Sequence, residues 1–82
     1  MKLNQLLEEI KTRAGSQQKL ADEMKVNKAN ISRWLKGQRK IEIDVLLQLL
    51  DIVDIELLIY DKKEEKVLDI LDNRKWGKKE WV

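Results

Sequence analysis

Ser16–Gly37 reads SQQKLADEMKVNKANISRWLKG, and the spacing of its apolar residues decides what the rest of the chain must be. Two short helices joined by a tight turn are predicted. In the first, Leu20, Ala21 and Met24 fall on one side of a 3.6-residue spiral. In the second, Ile31, Trp34 and Leu35 do the same at i, i+3 and i+4. Residues 25–27 make the turn, and Val26 is placed to plug the angle where the two axes cross. These seven residues are the expected structural core of the pair. Trp34 counts among them because tryptophan is usually highly buried.

The outward side of the second helix has a different composition. With Ile31 set at zero and 100° per residue, the opposite side is centred on Ala29, Arg33 and Lys36, with Asn30 and Ser32 at its edges. Lys28 lies off that centre, but at the helix end its long side chain has room to swing. A buried wedge with a basic, amide-rich outer face suits the major groove of DNA. Arg33 can fork onto guanine O6 and N7, Lys28 can do so less rigidly, and Asn30 can pair with adenine N6 and N7. Ala29 is small enough to let the helix sink or to meet a thymine methyl. The expected base-contacting set is therefore Lys28, Ala29, Asn30 and Arg33.

Around this face the expected contacts are to phosphates. Ser16 is a good N-cap, and Gln17 and Gln18 stand at the helix N-terminus, where backbone N–H groups and the helix dipole favour an anion. Asn27 and Ser32 border the basic face, Lys36 ends it, and the loop Gln38-Arg39-Lys40 adds two charges where a phosphate strand should pass.

The spacing of Gln17, Leu20-Ala21, Met24, Val26, Ile31-Ser32-Arg33-Trp34 and Gly37 resembles the helix-turn-helix of the lambda-repressor-like family, which includes phage Cro proteins and xenobiotic-response regulators. The likeness covers about residues 3–53. It implies a compact bundle of four or five helices that binds operator DNA as a two-fold dimer. It also implies that Gln17 contacts a phosphate, that Lys28, Ala29 and Arg33 face bases, and that Gly37 to Lys40 track the backbone. Three positions depart from the family pattern. Lys25 stands where glycine is usual, so a left-handed backbone there would be strained by about 1 kcal/mol. Leu35 replaces an acidic residue, and no proline precedes the fourth helix.

On either side of the pair the chain reads as packing elements. Leu3, Leu6, Leu7 and Ile10 sit at i, i+3, i+4 and i+7, an amphipathic first helix stopped by Gly15. Its Glu8, Glu9, Lys11 and Arg13 are expected to face water. A fourth helix opens at or just before Asp44 and runs to about Val53, with Leu46, Leu49, Leu50 and Val53 as its core stripe. Val45, Leu47 and Ile52 fall outside that stripe, a surplus of apolar surface that something must cover.

Ile55 to Tyr60, IELLIY, reads as a strand. A helix running into such a strand resembles HipB-like antitoxin regulators, which implies pairing with a twin strand across a dimer. Val67 to Leu71 is either a returning strand after DKKEEK or a short helix with Val67, Ile70 and Leu71 inward. The expected fold class is thus mainly α, a compact four- or five-helix bundle with a short C-terminal strand or hairpin. Its organisation is 1–54 for the DNA-binding unit, 55–71 for a strand and dimerisation segment, and 72–82 for a basic tail bearing Trp76 and Trp81. The tail reads as a loose end, as tryptophans folded back, as a DNA-backbone arm, or as an anchor for a partner.

Composition narrows the function further. The chain has 82 residues and a net charge of only +2, but the charge is segregated. Residues 1–40 carry ten Lys/Arg against four Asp/Glu, residues 41–72 three against ten, and residues 73–82 four against one. The first half draws in a polyanion that the second half repels. Neither cysteine nor histidine is present, which excludes disulfides, most zinc chemistry and histidine-based catalytic triads. No nucleophile–base pair, metal cluster or glycine-rich phosphate loop is visible, so no enzyme, metal or cofactor is expected. Met1 to Ile10 lacks a signal-peptide core, and five acidic residues interrupt the apolar run Ile41–Tyr60, so no membrane span is expected. The expectation is a bacterial or phage-encoded repressor on palindromic double-stranded DNA, acting as a homodimer in a reducing cytoplasm, at the nucleoid. The alternative is an antitoxin that neutralises a toxin, or engages another protein partner, through residues 55–82 and autoregulates its operon.

Overall fold

The computed structural model describes residues 1–71. The expectations for the 72–82 tail, with Trp76 and Trp81, lie outside the described residues. Four helices are followed by an antiparallel hairpin: α1 (Leu3–Ala14), α2 (Gln17–Met24), α3 (Lys28–Leu35), α4 (Ile43–Ile52), β1 (Leu57–Asp61) and β2 (Lys66–Leu71).

Each helix is bounded by local chemistry. Gln5 Oε1 accepts from the Lys2 amide (2.8 Å) at the start of α1. Ser16 Oγ accepts from the Lys19 amide (3.2 Å) at the start of α2. Asn27 Oδ1 accepts from the Ala29 amide (2.8 Å) at the start of α3. Such bonds satisfy N–H groups that the first turn leaves without an intrahelical acceptor. At the other ends the chain turns left-handed, at Gly15 (φ 76°), Lys25 (φ 58°), Gly37 (φ 72°) and Asp54 (φ 58°). After α3, the Gln38 amide donates to the Arg33 carbonyl (2.9 Å) and the Gly37 amide to that of Trp34 (3.1 Å). This paired arrangement closes the helix and sets the direction of the loop that follows.

The helices meet on an aliphatic core of Leu7, Ile10, Ala14, Leu20, Ala21, Ile31, Leu46, Leu47, Leu49, Leu50 and Val53. Ile10, Leu20, Ile31, Leu49 and Leu50 are sealed off, and no polar or charged side chain is buried among the described residues. Met24, Val26, Trp34 and Leu35, expected inside, are half-buried and pack against this core from its margin. Trp34 leaves the centre because Ile31, one turn earlier, already fills the space beneath α3. Leu3 also departs from its expected place. It is 52% exposed, being the first residue of α1 and lining an open groove with Leu7 and Leu35. Leu47 departs in the opposite sense and is buried, so α4 has a wider inward face than its stripe predicted. No helix of the described residues is long and apolar enough to cross a membrane.

The strand begins at Leu57 rather than Ile55. Ile55 is still engaged in closing α4, its amide donating to the Leu50 carbonyl (2.9 Å). The open choice for Val67–Leu71 resolves to a strand. Asp61 Oδ1 accepts from the amides of Lys63 (2.9 Å) and Glu64 (3.1 Å), which folds DKKEEK into a turn. The chain then pairs back on itself, Leu58 opposite Ile70 and Tyr60 opposite Val67. Between Ile59 and Tyr60 the register shifts, leaving Leu68 as the extra residue of a bulge. Of the strand residues, Leu57 and Leu71 pack against the helical core. Leu58, Tyr60, Val67 and Leu68 are each at least half exposed.

Candidate nucleic-acid interface

The interface is built outward from Ile31. Because that side chain is fully buried, the 100° step turns Ala29, Arg33 and Lys36 to solvent and leaves Asn30 and Ser32 half-buried at the two edges. Lys28, at the first position of α3, is exposed as well. Among the described residues none of Lys28, Arg33, Lys36 and Lys40 joins a salt bridge. Their charge is therefore unneutralised and accumulates on one side of the bundle. An ion pair of Arg13 with Glu9 (3.0 Å) lies on α1 with both side chains nearly half exposed.

Asn27 is occupied by its carbonyl in capping α3, so its side-chain amide N–H groups are what it offers outward. Gln17 and Gln18 separate, although they are adjacent in sequence. Gln17 is half-buried and lines an open depression with Gly15, Ser16, Lys11 and Lys28. Gln18 is exposed and turned along its own helix, its Nε2 donating to Asp22 Oδ1 (2.8 Å). Gln38, Arg39 and Lys40 are exposed on the loop leaving α3. Arg39 reaches back to that helix, its Nη1 donating to Asn30 Oδ1 (3.2 Å).

Lys11, which helical spacing places only on the wet side of α1, lies with this group. It lines the depression with Gln17 and Lys28, and also a groove with Leu7, Glu8, Gln17, Leu35 and Lys36. Basic side chains of α1 and α3 thus flank Gln17, which opens α2. No spacing rule within one helix brings Lys11 near Lys28; only the angle between α1 and α3 does. The basic cluster in residues 1–40 was the available signal.

This arrangement offers charge-assisted donors at an open surface, with a helix N-terminus among them. The helix-turn-helix family model matches residues 7–59, from the middle of α1 through most of β1. No curated protein and no solved structure matches the chain.

Proposed function

The chain belongs to the Cro/C1-type helix-turn-helix family, whose members are DNA-binding regulators, and from that premise we propose a sequence-specific repressor that binds palindromic operator DNA as a homodimer. The single observation that carries this reading is α3 itself: Ile31 sealed beneath it, with Lys28, Ala29, Arg33 and Lys36 exposed and, among the described residues, no salt bridge at its three cations. In the major groove, Arg33 forks onto a guanine, Lys28 and Asn30 reach neighbouring bases, and Ala29 meets a thymine methyl. Gln17, Asn27, Ser32, Lys36, Gln38, Arg39 and Lys40 hold the flanking phosphates, and Lys11 joins them. Gln18 is the weakest member of the expected phosphate set, since its amide is engaged by Asp22.

The hairpin, residues 55–71, is the dimerisation segment in this reading. Cross-strand partners share a face, so Leu58, Ile70, Tyr60 and Val67 form one uncharged surface with the bulged Leu68 beside them. A lone two-stranded hairpin is marginal in water. A second copy supplies a surface of the same composition, and two-fold pairing is what a palindromic site requires. The 1–54 bundle then reads bases while the acidic second half stays clear of the phosphates.

Footprinting on the region upstream of the chain's own operon tests the proposal. The expected result is a symmetric protected site with half-sites about 10 bp apart. Absence of protection at moderate salt overturns it. The apolar hairpin face also favours a second reading, an antitoxin that holds a toxin through residues 55–82. Copurification of the full chain with the product of the adjacent open reading frame supports that reading, and failure to copurify removes it.

A further inference from the structure

Asn30 and Arg39 are nine positions apart, yet the loop after α3 brings Arg39 Nη1 to 3.2 Å from Asn30 Oδ1. The approach is built into the backbone. Gly37 in the left-handed conformation reverses the chain, and the amides of Gln38 (2.9 Å) and Arg39 (3.3 Å) both donate to the Arg33 carbonyl. The root of the Arg39 side chain is thereby tied to the last turn of α3. We propose that Arg39 is a positioning residue for base readout, pinning the carbonyl of Asn30 so that its amide meets an adenine edge in one orientation. This inference rests on the DNA-binding reading above.

The terminal torsion of asparagine is soft and roughly two-fold, so a free side chain exchanges its oxygen and nitrogen easily. Those two orientations recognise different bases. Adenine offers an acceptor at N7 and a donor at N6, whereas guanine offers acceptors at both N7 and O6. An amide oxygen has two lone pairs. With one committed to Arg39, the other can accept from adenine N6, while Nδ2 donates to N7. Guanine at the same place would set its O6 against the pinned oxygen, acceptor facing acceptor. Arg39 keeps further N–H groups for a phosphate, so one side chain links the backbone contact to the base contact.

Selection of bound duplexes from a random pool, with the full chain, tests the assignment when run on wild type, Asn30→Ala, Arg39→Lys and Arg39→Ala. The salt dependence of binding is measured alongside. The lysine variant retains the positive charge but not the planar fork that orients an amide. Wild type is expected to enrich adenine at one position of each half-site, and Asn30→Ala to abolish that preference. Arg39→Lys is expected to weaken the same preference at least fivefold while the salt slope stays unchanged. Arg39→Ala should lose the preference and also lower the slope by roughly 0.9. An unchanged adenine preference in both Arg39 variants overturns the inference and leaves Arg39 a phosphate contact alone. A wild-type protein that enriches no sequence overturns the DNA-reading premise as well, so the two failures are distinguishable.

Discussion

The side-chain amide of Gln18 donates to Asp22 Oδ1 at 2.8 Å, one turn along α2, while its neighbour Gln17 sits half-buried beside Lys11 and Lys28. Two adjacent glutamines at one helix end are therefore inequivalent. Gln17→Ala should weaken binding by roughly 1–2 kcal/mol, by similar amounts on operator and unrelated duplexes, as loss of a phosphate contact does. Gln18→Ala should stay within about 0.5 kcal/mol, the usual range for a surface change. Fluorescence-anisotropy titrations of both variants on both duplexes check the pair.

Arg33 is exposed and opposite the buried Ile31. Arg33→Ala should cost roughly 1–3 kcal/mol on the matched operator and relax specificity at one base pair. The measurement is a panel of single-base operator variants. A uniform loss across the panel would mark Arg33 as a phosphate contact.

Lys11 carries a charge that the fold brings beside Lys28. Lys11→Ala should lower the slope of log K against log salt by roughly 0.9, the release of about one counterion. Binding isotherms at several salt concentrations test this, with an unchanged melting temperature confirming an intact fold.

Lys25 holds φ 58° and ψ 43° where α2 ends, a conformation that penalises a side chain bearing Cβ. Lys25→Gly relieves about 1–2 kcal/mol of strain but adds freedom to the unfolded chain, which offsets part of it. The net expectation is a gain of about 0.5–1 kcal/mol, read by urea denaturation. DNA affinity on the operator should hold within about twofold, since that gain lies at the turn and not on the outer face of α3.

Leu58 is half exposed on the uncharged hairpin face. Leu58→Asp places a charge at the centre of the proposed contact between copies. Light scattering coupled to size exclusion should show wild type at twice the chain mass and the variant shifted to monomer. Circular dichroism should retain the helical signal, because Leu58 is not among the residues packed on the helical core. A wild type that runs as a monomer at micromolar concentration would remove the homodimer from the proposal.

Much of the bundle could be read in one dimension. Ile31, Leu20, Ala21, Leu7 and Ile10 were legible as inward residues because helical periodicity is local, and the structure buries each of them. The same arithmetic put Ala29 and Arg33 outside, where they lie. Gly15 and Ser16 announced the boundary between α1 and α2, since capping needs only neighbours along the chain. Periodicity did not grade the core, however. It treated Trp34 and Ile31 alike, and it left Leu47 outside a stripe that in fact widens to include it.

By itself, then, the sequence determined the positions of α1 to α4, the centre of each inward stripe and the basic outer face of α3, because each of these follows from neighbours within one or two turns. The tertiary structure alone decided that Val67–Leu71 is a strand, that Lys11 stands with Gln17 and Lys28, and that Arg39 meets Asn30. Those outcomes depend on pairing across a turn, on the angle between two helices and on the direction in which a loop leaves. Distances through space of this kind have no counterpart in residue spacing.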